Sequence, residues 1–169
     1  MNTDKILQLA MAAALSMLAV VLWDATRQRV VQVGDTAPEF SVQAENGMTV
    51  TRSNFGGKAL VLNFWATWCQ PCVRETPALE ALHRQMKDLG VVVLGISVDK
   101  KQEKYKAFLK RFGVTFLTTH DPGATVSDSF GTYRYPETYV IDRSGKVVQK
   151  IIGFEWKEEE MVRFLKTLL

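Results

Sequence analysis

Residues 59–72 read ALVLNFWATWCQPC, an apolar run of strand length leading directly into two cysteines, Cys69 and Cys72, that stand three apart. The first seven residues, Ala59–Trp65, carry no charge and no polar alternation, the pattern of a strand buried on both faces. A second run of that kind, VVVLGISV at 91–98, is rich in β-branched side chains. Between the two runs Val73, Leu79, Leu82, Met86 and Leu89 recur near helical spacing. Strand, helix, strand predicts a βαβ crossover, and a crossover implies a parallel pair. The cysteines then fall where a buried strand hands over to a helix.

Outward from this unit, residues 40–50 predict two short strands joined by a turn at Asn46-Gly47. After Asp99, Tyr105, Phe108, Leu109 and Phe112 fall at i, i+3, i+4 and i+7, with Lys100, Lys101, Lys104, Lys106, Lys110 and Arg111 on or around the other face. That is an amphipathic helix with a basic, solvated side. Residues 116–119 predict a short strand and 124–130 a short helix. Residues 137–141 and 146–152 predict a strand pair across the turn Asp142-Arg143-Ser144-Gly145, and 157–169 a closing helix with Met161, Phe164, Leu165 and Leu168 on one side. The sum is a mixed α/β sheet with helices on both faces.

The N-terminal end has another character. Residues 6–23, ILQLAMAAALSMLAVVLW, are uncharged, with only Gln8 and Ser16 polar. At 1.5 Å per residue such a helix spans about 27 Å, close to a hydrocarbon core of roughly 30 Å. The expectation is a membrane anchor at 1–23, a polar tether at 24–33 and one globular domain at 34–169, entered through Gly34-Asp35-Thr36-Ala37-Pro38. A cleaved secretory signal is the competing reading, but Val21 to Thr26 offer no good pair of small residues for cleavage. Lys5 precedes the segment while Arg27 and Arg29 follow it, so loop charge does not support a cytoplasmic N-terminus. The net charge of +3 on 169 residues is too small and dispersed for a nucleic-acid partner.

At a helix start, positions i and i+3 share a face, a separation that suits a disulfide. The unpaired N–H groups and the macrodipole there stabilise a thiolate, which makes Cys69 the attacking sulfur and the deeper Cys72 the resolving one. Pro71, near the first helical position, fixes φ without wasting a donor, and Gln70 and Pro71 between the cysteines tune the pair. A purely structural bridge would close a tiny loop and stabilise little. Zinc would want four ligands, and two Cys with His83 and His120 provide no second ligand pair. A copper carrier using Cys69, Cys72 and His120 is the alternative function. A peroxidase would share Ala37-Pro38-Glu39-Phe40 but normally has Thr three residues before its Cys, where this chain has Ala66.

Gly34-Asp35-x-Ala37-Pro38-x-Phe40, Leu62 through Cys72, Glu75, Pro77, Tyr135-Pro136-Glu137-Thr138-Tyr139-Val140-Ile141-Asp142 and Gly145-Lys146-Val147-Val148 together resemble the TlpA/ResA type of membrane-anchored thioredoxin-like proteins, with likeness to the CcmG cytochrome maturation proteins. The resemblance covers nearly everything from Gly34 onward. It implies a thioredoxin fold with an added N-terminal hairpin, on the extracytoplasmic, periplasmic side of a bacterial membrane. It implies a protein-disulfide reductase of targets such as apocytochromes c, supplied with electrons by a membrane thiol carrier of the CcdA or DsbD kind. The expected unit is a monomer with no cofactor and no bound metal.

By the same resemblance Pro136 is a cis-proline facing the redox pair, and Tyr135, Trp68 and Gln70 meet an extended substrate segment. Asn63 occupies the place where ordinary thioredoxins carry a buried Asp that takes the second cysteine's proton, which an Asn cannot do. Glu75 is the candidate for proton handling, or for shaping the substrate surface. The bland reading of Glu75 is a surface carboxylate favoured by the helix dipole. Pro77 is expected to kink the helix, Trp65 to belong to the core, and His83 to be an ordinary partly buried helix residue.

Overall fold

A computed structural model describes residues 3–26 and 30–169. Helix α1 is Thr3–Thr26, and its segment Thr3–Trp23 is long and apolar enough to cross a membrane. Arg27 and Arg29, on which the charge argument for orientation rests, lie outside the described residues.

A five-stranded sheet follows, in the order β5-β4-β3-β6-β7, formed by β3 (Ala59–Trp65), β4 (Val91–Ser97), β5 (Leu117–His120), β6 (Glu137–Asp142) and β7 (Val147–Ile152). Strand β3 is buried at all seven positions, as its unbroken apolar run predicts. Its crossover helix α2 (Gln70–Met86) returns the chain to β4, which pairs parallel with β3. On the other side β3 takes β6 antiparallel, with Asn63 opposite Thr138, and β7 completes the sheet as the second arm of a hairpin. A separate hairpin, β1 (Ser41–Gln43) with β2 (Thr49–Thr51), turns at Gly47, whose φ of 83° a side chain would strain.

Helix α2 and the closing helix α5 (Glu158–Lys166) cover one face of the sheet, where Val61, Leu79, Leu82, Val93, Met161 and Leu165 interlock. The opposite face is closed by the hairpin region and by Phe130, which follows the short helix α4 (Thr125–Ser129) and packs on Phe64 and Tyr139. A third cluster sits above the β3–α2 junction, where Trp65 lies against Phe108 of α3 (Gln102–Phe112). Gly95 makes room for that indole: a Cβ there would stand 2.9 Å from Trp65 Nε1. The architecture is the thioredoxin fold with an N-terminal hairpin, as the family resemblance implies.

One expectation changes. Val31, assigned to the tether from its sequence neighbourhood, is buried in the core; its N–H donates to the Phe130 carbonyl, and its own carbonyl accepts from Lys150 Nζ. The packed unit therefore takes up the chain ahead of Gly34. Helix α2 runs unbroken through Pro77, its single internal proline.

Candidate active site

At the β3–α2 junction the chain must reverse from buried strand to helix within four residues, and Asp99 at the end of β4 holds it there. The buried Asp99 carboxylate accepts from Thr67 N–H at 2.9 Å, Thr67 Oγ1 at 2.6 Å and Ser97 Oγ at 2.8 Å. Cys69 is the N-cap of α2 in an extended conformation, and its sulfur accepts the N–H of Cys72 at 3.3 Å, taking up one of the donors a helix start leaves free. Pro71 lies in the first turn, where its lack of an N–H costs nothing.

Cys69 and Cys72 are joined by a disulfide, with Cα atoms 5.2 Å apart. Cys69 is 6% exposed and Cys72 1%, so a partner arriving from solvent meets Cys69 first. Beside it Trp68 stands 63% exposed, its ring edge-on to that of Tyr135 at 6.0 Å. The Tyr135–Pro136 bond is cis. Tyr135 packs against the cluster that contains both cysteines, Pro136 beyond it is buried, and Gln70 is exposed on the first turn of α2. Trp68, Tyr135 and the bridge thus form one surface.

Beneath that surface Glu75 overturns the bland reading of a solvent-facing carboxylate: it is 1% exposed. Its Oε1 accepts the indole N–H of Trp156 at 2.6 Å, and its Oε2 accepts Asn63 Nδ2 at 2.9 Å. Asn63 also donates to Thr138 Oγ1 at 2.9 Å, and that hydroxyl lies 3.4 Å from Glu75 Oε1. Burial outweighs the three hydrogen bonds that favour the anion, and pushes the Glu75 carboxyl up to about 7. With that value the carboxyl is close to half ionised near neutrality, and it stands three residues from Cys72 on the same helix.

The sequence reading missed Thr138 and Trp156 as partners of this carboxyl. The available signal for Trp156 was a tryptophan in the connection before α5, since a buried indole N–H requires an acceptor. For Thr138 the signal was its register opposite Asn63.

His120 does not join the cysteines. Its ring stacks on Tyr105 at 5.1 Å and its Nε2 lies 2.6 Å from the Asp99 carbonyl oxygen. Among the described residues no three His, Cys, Asp or Glu side chains converge as metal ligands. His83 is half-buried on α2, where desolvation holds its pKa below the usual imidazole value. Trp65 belongs to the core.

Residues 33–150 match the AhpC/TSA family. The thiol-disulfide oxidoreductase ResA of Bacillus thuringiensis subsp. konkukian is 32% identical over 143 residues, 85% of this chain and 82% of that one. ResA of Geobacillus kaustophilus is 37% identical over 134 residues, 79% of this chain and 77% of that one. Among solved structures, a Chlorobium tepidum protein assigned as the thiol:disulfide interchange protein DsbE superposes with a TM-score of 0.73 at 29% identity, over 82% of this chain and 99% of that one.

Proposed function

The chain belongs to the AhpC/TSA family and is a thiol-disulfide oxidoreductase of the ResA type, and on that premise we propose that it is an anchored extracytoplasmic reductase of protein disulfides, apocytochrome c among them. In this reading α1 is the anchor and the packed unit faces the periplasmic side. Electrons reach the bridge from a membrane dithiol carrier of the CcdA or DsbD kind.

Cys69 is the attacking sulfur. As a thiolate at the start of α2 it displaces one sulfur of the target disulfide, forming a mixed disulfide and releasing one target thiolate. Cys72 passes its proton to the Glu75 carboxylate and attacks the Cys69 sulfur. The second target thiolate leaves, the target has gained two electrons, and the Cys69–Cys72 disulfide is restored. Trp68, Gln70, Pro71, Tyr135 and Pro136 supply the surface on which the target lies.

What supports this reading is one juxtaposition: a bridge capping a helix N-terminus, with exposed Trp68 outside it and a carboxyl poised near neutrality behind it. The test is trapping. Cys72→Ser should accumulate a mixed disulfide through Cys69 with its target, reversible by dithiothreitol, while Cys69→Ser should accumulate none. If Cys69→Ser traps the same adduct, the assignment of attack fails.

A further inference from the structure

The start of helix α3 carries charge against the helix's own stability. Six cations, Lys100, Lys101, Lys104, Lys106, Lys110 and Arg111, stand in and just before it against Glu103 alone, while the whole chain carries only +3, so the rest is net negative. Lys100, Lys101 and Lys104 gather at the positive end of the helix dipole, where cations are disfavoured, and Lys101 occupies the N-cap with no capping hydrogen bond. No ion pair among the described residues involves any of the six. Local helix energetics favours Lys110 and Arg111, which lie in the last turn, and does not account for the cluster at the start.

Its placement does. Thr67, Lys104, Ala107, Phe108 and Arg111 line a groove that opens beside the redox turn. Positions 104, 107, 108 and 111 share one helix face, and Thr67 lies two residues before Cys69. Phe108, packed on Trp65 at 4.8 Å, is an apolar floor; Lys104 and Arg111 are exposed rims about two turns apart. Arg111 lies 5.3 Å from the Phe112 ring centroid, which limits where its guanidinium points.

We propose that this groove docks an acidic segment flanking the target's disulfide, with an apolar side chain over Phe108 and carboxylates on Lys104 and Arg111, so that the target sulfur arrives at Cys69. The proposal rests on Cys69 as the attacking thiol. A peptide rather than a lipid surface is favoured because the two rim cations bracket a narrow apolar floor. A flat membrane would engage Lys106 and Lys110 on the neighbouring face equally.

The test uses the pre-reduced full-length protein in zwitterionic detergent, mixed in single turnover with one short peptide disulfide in three forms whose flanking residues are Glu, Gln or Lys. The Glu peptide should react about tenfold faster than the Lys peptide at low ionic strength, and the gap should close in high salt. In the double variant Lys104→Glu, Arg111→Glu the order should invert. Equal rates for the three peptides in the wild type, or an unchanged order in the double variant, would overturn the proposal. So would a double variant that keeps the peptide order and loses only its binding to nanodiscs of anionic lipid, which would make the face lipid-binding. Failure of the wild type to reduce even the Gln peptide would count against Cys69 as the attacking thiol and not against the groove.

Discussion

Trp156 donates its indole N–H to Glu75 Oε1 at 2.6 Å, joining the connection before α5 to the helix that carries the redox pair. The bond stabilises the carboxylate more than the carboxylic acid, so its worth depends on pH. Trp156→Phe keeps most of the ring's packing and removes the donor. The cost should be roughly 1.5–3 kcal/mol well above pH 7, where Glu75 is ionised, and much smaller well below it, where the folded protein holds the carboxyl protonated. Urea unfolding at pH 5 and pH 8 checks this. An equal cost at both values would mean that packing, and not the hydrogen bond, is lost.

Glu75 itself gives the second prediction. Its folded value of about 7 lies above the ordinary carboxyl value of 4.5, so its contribution favours the folded state fully below about 4.5 and is lost as pH rises through about 7. At 1.36 kcal/mol per pH unit the span is roughly 3 kcal/mol. Glu75→Gln cannot ionise. Relative to that variant the wild type should lose roughly this much stability between pH 4.5 and pH 8, as read from unfolding curves across the range. Parallel curves for the two proteins would contradict the burial that raises the group.

How far the sequence foretold this site depends on the range of each contact. The β3–α2–β4 crossover was legible because its signals are local: two continuous apolar runs, a helical period between them and two cysteines at the join. The pairing of β6 with the free edge of β3 was not, since a hairpin drawn from residues 137–152 suits either edge of a sheet. Glu75 reads as a surface group by helix rules because everything that buries it is distant: Asn63, Thr138 and Trp156 lie 12, 63 and 81 residues away. Val31 was misplaced for the same reason. The stretch before it, residues 24–29, is mostly polar, and its neighbours in space, Phe130 and Lys150, belong to the other end of the chain.

The hold of Asp99 on the redox turn gives the third prediction. Asp99→Ala strands Thr67 N–H, Thr67 Oγ1 and Ser97 Oγ, with a buried cavity in place of the acceptor. Water reaches the half-buried Thr67 and offsets part of the loss, which leaves a destabilisation of roughly 2–3 kcal/mol. Asp99→Asn keeps one acceptor oxygen and should recover part of it. Thermal unfolding of the oxidised proteins measures both, and a wild-type melting temperature in the alanine variant would remove Asp99 from the turn's support.

The last prediction concerns an ion pair two strands from the bridge. Lys150 Nζ lies 2.9 Å from Glu137 Oε1 with both side chains buried, and the Tyr139 hydroxyl donates to the same oxygen at 2.5 Å. Glu137 immediately follows Pro136, and Lys150 also holds the Val31 carbonyl at 2.9 Å, so one ammonium ties the strand after the cis bond to the point where the N-terminal segment joins the core. Lys150→Ala leaves a buried carboxylate without its cation, and should cost about 3–5 kcal/mol. Removing both charges is a different matter, because desolvation of the pair offsets much of its mutual attraction. Lys150→Met combined with Glu137→Gln should therefore be less destabilised than Lys150→Ala alone, with denaturant midpoints at pH 7 giving the order. If the double variant is the weaker, the pair contributes net stability of its own, and the link between Val31 and the strand after Pro136 is carried by charge and not by packing.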